Sequence, residues 1–165
     1  MNDISNSDVM NHVMNSFFNV ISTRTTPAHA WLTLKILMQK IEYNYNFIKS
    51  IDLIDIKDIK EMEYYQTKFK NIAIIDTAIV ETVDEKIIGE SVQSLADELK
   101  KYLGKKAGYH LLREFRDDLG DNYYSIINKM GVDLRLIELQ DELYELDYKE
   151  YVMEDDNELN VAIVK

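Results

Sequence analysis

Leu134-Arg135-Leu136-Ile137-Glu138-Leu139-Gln140-Asp141-Glu142-Leu143-Tyr144-Glu145-Leu146-Asp147-Tyr148 supports two incompatible readings, and the choice between them sets the fold class. Tyr144, Leu146 and Tyr148 alternate with Glu145, Asp147 and Lys149, the period of a half-buried strand. Leu136, Leu139, Leu143 and Leu146 also recur at steps of three and four, the seam of an amphipathic helix. Downstream, Leu159, Val161 and Ile163 alternate again after the turn-like Asp155-Asp156-Asn157. A last strand needs a partner, and the segment just before its turn is the nearest one. The balance favours a small antiparallel meander over residues 131–165, with Leu134 and Leu136 available for an earlier strand. The expected fold is α+β, an N-terminal multi-helix bundle followed by a C-terminal antiparallel β-meander, with an all-α bundle as the alternative.

Upstream of Gly131 the patterns are helical. Asp121 can cap a short helix bearing Tyr123, Ile126, Ile127 and Met130, stopped by Gly131, and Gly120 is a stop for the apolar face of Leu111, Leu112, Phe115 and Leu119. Asp84 can cap a helix whose seam is Ile88, Val92, Leu95, Leu99 and Tyr102. No Gly or Pro occurs from 51 to 88, and Met62, Phe69, Ile72, Ile79 and Val83 continue one helical face. The β-branched run at 71–80 also suits a buried strand, but a long continuous helix is preferred. Thr26 as N-cap and Pro27 as first helical residue start the best-patterned element, whose seam runs Trp31, Leu34, Met38, Ile41, Tyr45 and Ile48. Val9, Val13, Phe17 and Val20 mark a first helix over 8–21. With no repeat and no Gly-, Pro- or Ser-rich linker, one domain over residues 1–165 is expected, helical to about 130 and sheet from 131.

The 165 residues include 46% hydrophobic and 30% charged ones, five Gly and one Pro, enough apolar material for a sizeable core and too little Gly and Pro for a collagen-like or low-complexity chain. The chain has no Cys, which excludes disulfides, thiolate catalysis, iron–sulfur clusters and Cys-based zinc sites. The first residues lack a basic region followed by an apolar run, and no stretch approaches the about 18–20 apolar residues of a membrane span. A cytoplasmic protein is expected.

The net charge is −11, from 19 Lys+Arg against 30 Asp+Glu, a field that repels nucleic acid and anionic membrane. That excess is unevenly placed. Residues 1–82 carry a net of −2, residues 83–129 a net of −1, and residues 130–165 a net of −8, with only Arg135, Lys149 and Lys165 against 11 carboxylates. An acidic face of this kind reads as the solvated side of the sheet or as a docking surface for a basic protein. The opposite feature is a basic island over 100–116, where Lys100, Lys101, Lys105, Lys106, Arg113 and Arg116 meet only Glu114. It spans Gly104-Lys105-Lys106-Ala107-Gly108, whose small residues permit close helix packing or an anion site, though the spacing is not that of a P-loop.

The candidate ligand-binding residues are Arg24, Thr25, Thr26 and His29, at the positive end of the helix that Thr26 starts, with Lys105, Lys106 and Arg113 of the island. Ordinary capping by Thr26 is the plainer account of the first group, and self-pairing of cations that of the second. His110 and Glu114 share a helix face at i, i+4, but most such pairs are salt-bridged rather than metal-binding, so neither metal nor cofactor is expected. Asp76, in the most apolar stretch, would have catalytic interest if buried beside His29 or His110. The two long seams exceed what one small core needs, so a homodimer is expected. The leading functional expectation is a non-catalytic regulatory or adaptor domain working through protein–protein contacts, with a basic protein as candidate partner. The alternative is a sensor of a small anionic or aromatic ligand between helices and sheet, and a weaker one is an enzyme built on Asp76 and a histidine.

Overall fold

The computed structural model of the chain describes residues 3–65 and 71–134, together with residues 139, 142, 143 and 146. It is mainly helical with one small antiparallel sheet. Helices α1 (Asn6–Arg24), α2 (Pro27–Ile41) and α3 (Ile56–Tyr65) are followed by the short α4 (Thr77–Val80), α5 (Glu85–Leu103) and α6 (Lys105–Lys129). Strands β1 (Ile51–Leu53) and β2 (Ala73–Ile75) pair between them, after a 3-10 turn at Asn46–Ser50.

The helix starts follow local chemistry. Thr26 accepts the His29 N–H at 3.2 Å with Pro27 in the first turn, and Asp84 accepts the Lys86 N–H at 2.8 Å at the head of α5. At the head of α1 the Ser5 hydroxyl accepts from Asp8, while the Glu81 carboxylate accepts the Ser7 N–H at 2.8 Å. A carboxylate from beyond α4 thus takes up a donor that the first turn cannot satisfy internally. Asn6 completes the junction by donating to the carbonyls of Val80 and Val83.

The apolar seams meet one another inside a single copy. Val9, Met10, Val13, Met14, Phe17 and Ile21 of α1 are buried against α2 and α6, with Phe17 stacked on Phe115 at a centroid distance of 4.1 Å. Leu34, Met38 and Ile41 of α2 and Ile88, Val92, Leu95 and Leu99 of α5 are buried as well. The two seams from which a homodimer was expected are therefore largely consumed by the core of one chain. Two glycines allow the closest approaches. A Cβ on Gly108 would lie 2.7 Å from Lys100 Cα, and one on Gly89 would lie 2.1 Å from Met130 O.

Three expectations need correction. The helix begun at Pro27 ends at Ile41 rather than continuing to Ile48, because Tyr43-Asn44-Tyr45-Asn46 strings together weak helix formers. Ile48 is still buried, delivered by the 3-10 turn instead. The continuous helix over 51–88 is replaced by β1, α3, β2 and α4. Ile51 pairs with Ile75, Asp52 with Ile74 and Leu53 with Ala73, so β-branched residues take the ladder that suits them. Helix side chains finish this short ladder, since Trp31 Nε1 donates to Ile54 O at 2.8 Å and Asn15 Oδ1 accepts the Ile72 N–H at 2.8 Å.

The third correction concerns the C-terminal meander. The sheet of the described residues lies mid-chain, and Leu134, Leu139, Glu142, Leu143 and Leu146 are all helical. That matches the three-and-four leucine spacing rather than the alternation through Leu146. The strand expected at Leu159, Val161 and Ile163, with Tyr144 and Tyr148 of its partner, lies outside the described residues. Gly120 and Gly131 behave as their sequence positions imply. Gly120 breaks α6 with φ 83°, and Gly131 ends it with φ 101°.

Candidate interaction surface

The loop and the basic island, distant in sequence, converge where α1 ends beside α6. Arg24 donates from Nε to Glu114 Oε2 at 3.3 Å, and its NH2 group forms a second contact with Glu114 Oε1. The carboxylate raises the Arg24 pKa, by hydrogen bonding first and charge second. Glu114 is the one acid of the island, so the His110–Glu114 face gives its carboxylate to Arg24. Thr25 donates its hydroxyl to Ile21 O at 2.7 Å, and Thr26 is the N-cap already described. His29, Lys106 and Arg113 stand exposed, and Lys105 opens α6. Among the described residues no group of three or more His, Asp or Glu side chains is placed to hold a metal.

Among the described residues, a cavity of about 280 Å³ lined by Asn19, Val20, Thr23, Glu114, Asp117 and Asp118 lies beside the Arg24–Glu114 pair, and two further cavities lie elsewhere on the helices. One of about 290 Å³ lies between α2 and β1, with Met38, Ile48, Ile51 and Leu53 in its lining and Lys35, Lys49, Glu42 and Asp52 around them. The other, of about 410 Å³, lies at the α5–α6 junction and is lined by Asp97, Lys100, Lys101, Gly104 and Tyr109. Neither Arg24 nor Arg113 lines either cavity. Lys100 pairs with Asp97 at 3.3 Å and sits 5.4 Å from the Tyr109 ring centroid, so this cation is held by its own surroundings. Asp76 is exposed at the head of α4, while His29 and His110 belong to α2 and α6.

Sequence reasoning missed one aromatic contact. His12 of α1 stacks on Tyr123 of α6 at a centroid distance of 3.7 Å and an interplanar angle of 16°. His12 Nδ1 lies 2.9 Å from the Asp8 carbonyl, which can only accept, so Nδ1 carries the hydrogen. Burial, with a smaller contribution from the Asp8 charge, raises the Tyr123 pKa. No spacing rule connects two residues so far apart in the chain, so only the packing of α1 on α6 reveals the pair.

The surface that stands out chemically begins where α6 ends. Gly131 donates to Asn128 O and Val132 to Ile127 O, both at 3.0 Å, the paired bonds of a Schellman stop. Val132 and Leu134 are buried, and the Asp133 N–H donates to Gln93 Oε1 of α5 at 3.0 Å. The root of the C-terminal segment is thus fastened to the helical body. Beyond it Leu139, Leu143 and Leu146 are 56%, 59% and 57% exposed, at helical positions i, i+4 and i+7. No family model, curated protein or solved structure matches the chain. Leu139, Leu143 and Leu146 are each helical and more than half exposed, in the part of the sequence where the acid is densest.

Among the described residues no helix is long and apolar enough to cross a membrane.

Proposed function

We propose that the protein is a non-catalytic regulatory or adaptor domain that works through protein–protein contacts on its acidic C-terminal part. One observation carries this reading: Leu139, Leu143 and Leu146, each helical, stay more than half exposed while the seams of α2 and α5 are buried in the same chain. Burying an exposed leucine is favourable by about 1.5–3 kcal/mol when complete, so these side chains contribute to association without any catalytic group. Native mass spectrometry on protein purified gently from its own cells tests the reading. A retained protein subunit that is lost when Glu142, Asp155 or Asp156 is reversed to lysine is the expected result. Retention indifferent to every such reversal across 141–158 refutes it.

A second reading has its own support in the cavity between α2 and β1, whose lining mixes Met38, Ile48, Ile51 and Leu53 with charges of both signs. In that reading the chain senses a small molecule, and the same spectrum shows an extra small mass that disappears on denaturation.

A further inference from the structure

We infer that the free edge of β1 is a docking strand for an extended segment of another protein, which adds to the sheet within the cavity between β1 and α2. The inference goes beyond the C-terminal contact surface and does not rest on it. It starts from backbone hydrogen bonds. The Ile54 N–H donates to Ile72 O at 2.9 Å and the Asp76 N–H to Ser50 O at 3.0 Å, while Asp52 stands opposite Ile74. In an antiparallel ladder this pattern turns Ser50, Asp52 and Ile54 toward β2 and leaves Ile51 and Leu53 directing their N–H and C=O groups to the other edge. The Ile51 N–H is taken by Ile48 O. Among the described residues no protein group meets the Leu53 N–H, the Leu53 carbonyl or the Ile51 carbonyl. This edge opens onto the cavity of about 290 Å³, because Ile51, Asp52 and Leu53 all line it although their side chains alternate between the inner and outer faces of the strand. A lining built from one face of the strand would skip Asp52.

The surroundings decide the occupant. Lys35, Met38, Gln39 and Glu42 of α2 form the rest of the wall, so an incoming strand lies between a strand edge and a helix. The β1 edge of a second copy has its own α2 beside it and cannot enter, whereas a loop or terminus in extended conformation can. One open donor and two open acceptors at strand spacing match a peptide backbone, which supplies both kinds of group in the same repeat. Met38 and Ile48 offer apolar atoms to a side chain pointing inward. Lys35 and Lys49 are balanced by Glu42 and Asp52, so the complementary segment carries one charge of each sign around an apolar residue rather than a run of either sign.

The test uses the full chain and an acetylated, amidated peptide about seven residues long, with Lys at one end, Glu at the other and Val alternating with Thr between them. Trp31, the one Trp of the chain, reports occupancy by its fluorescence. Its Nε1 donates to Ile54 O at 2.8 Å just past β1, and Lys35 of the cavity wall sits 5.0 Å from its ring centroid. Hydrogen exchange of the Leu53 amide reports the edge itself. In the free chain this amide is expected to exchange faster than that of Asp52, and bound peptide to slow it at least about 10-fold. N-methyl groups placed one at a time along the peptide should weaken binding about 10-fold at alternate positions and little between them, because a strand turns every second N–H to its neighbour. A Leu53 amide already protected in the free chain overturns the inference, since the edge is then covered. Equal weakening at every N-methyl position, or binding that leaves the Leu53 amide fast, overturns strand addition. Absence of binding by the peptide and by its reversed sequence overturns the extended partner. Charge reversals across 141–158 are expected to leave peptide binding unchanged, so failure of this inference and failure of the adaptor reading are seen separately.

Discussion

Gly89→Ala adds one methyl group where α5 crosses the end of α6. The new Cβ would stand 2.1 Å from Met130 O, 2.7 Å from Met130 C and 2.9 Å from Met130 Cβ. A carbon and a carbonyl oxygen ordinarily rest about 3.3 Å apart or more, so the helices must separate by roughly 1 Å. The opposing atoms are backbone, which places the cost near the upper end of the about 1–3 kcal/mol typical of overpacking. Replacing Gly by Ala inside a helix returns up to about 1 kcal/mol. The net expected loss is about 2 kcal/mol, or about 4–8 °C in Tm for a chain of this size. Urea unfolding followed by far-ultraviolet circular dichroism gives the number directly. Gly104→Ala is the control, since a Cβ there meets no atom within 4 Å and only the φ of +85° opposes it. An unfolding midpoint for Gly89→Ala equal to or above that of the unmodified chain would refute the close packing of α5 on Met130.

Trp31→Phe removes the indole donor and leaves the Ile54 carbonyl without it, so a loss of about 1–2 kcal/mol is expected in the same urea experiment. As the chain has one Trp, its fluorescence in the unmodified protein reports unfolding around β1 directly. Glu81 supplies a pH test. The Ser7 side chain and then the Ser7 backbone N–H, which donates to the carboxylate at 2.8 Å, lower the Glu81 pKa. A folded-state value below the unfolded one adds stability that is present above the ordinary carboxylate value and is lost as pH falls through the folded value. Urea midpoints measured from neutral to acid pH should therefore fall less steeply for Glu81→Gln than for the unmodified chain, and parallel curves would contradict the assignment. Because Glu81 is exposed, the difference should shrink with added salt.

Much of the helical outline was legible because its signals are local. A Thr-Pro start, an Asp cap and a glycine stop each act within one turn, so Thr26-Pro27, Asp84, Gly120 and Gly131 mark their boundaries wherever the chain is placed. The strands were not legible in the same way. Two three-residue strands exist only as a pair, and Ile51–Leu53 and Ala73–Ile75 are separated by α3 and then finished by Trp31 and Asn15 from helices elsewhere. Neither segment announces that partnership, whereas the absence of Gly and Pro between them argued for a helix.

The site divides along the same line. By itself the sequence determined that the acid gathers after residue 130, that the basic island holds one carboxylate, and that leucines recur at threes and fours from 136 to 146. Tertiary structure alone decided that Glu114 turns to Arg24, that the seams of α2 and α5 are spent inside one chain, and that Leu139, Leu143 and Leu146 face outward. The reason is physical: spacing along a chain shows which residues can share a face, but what covers that face depends on contacts between elements remote in sequence.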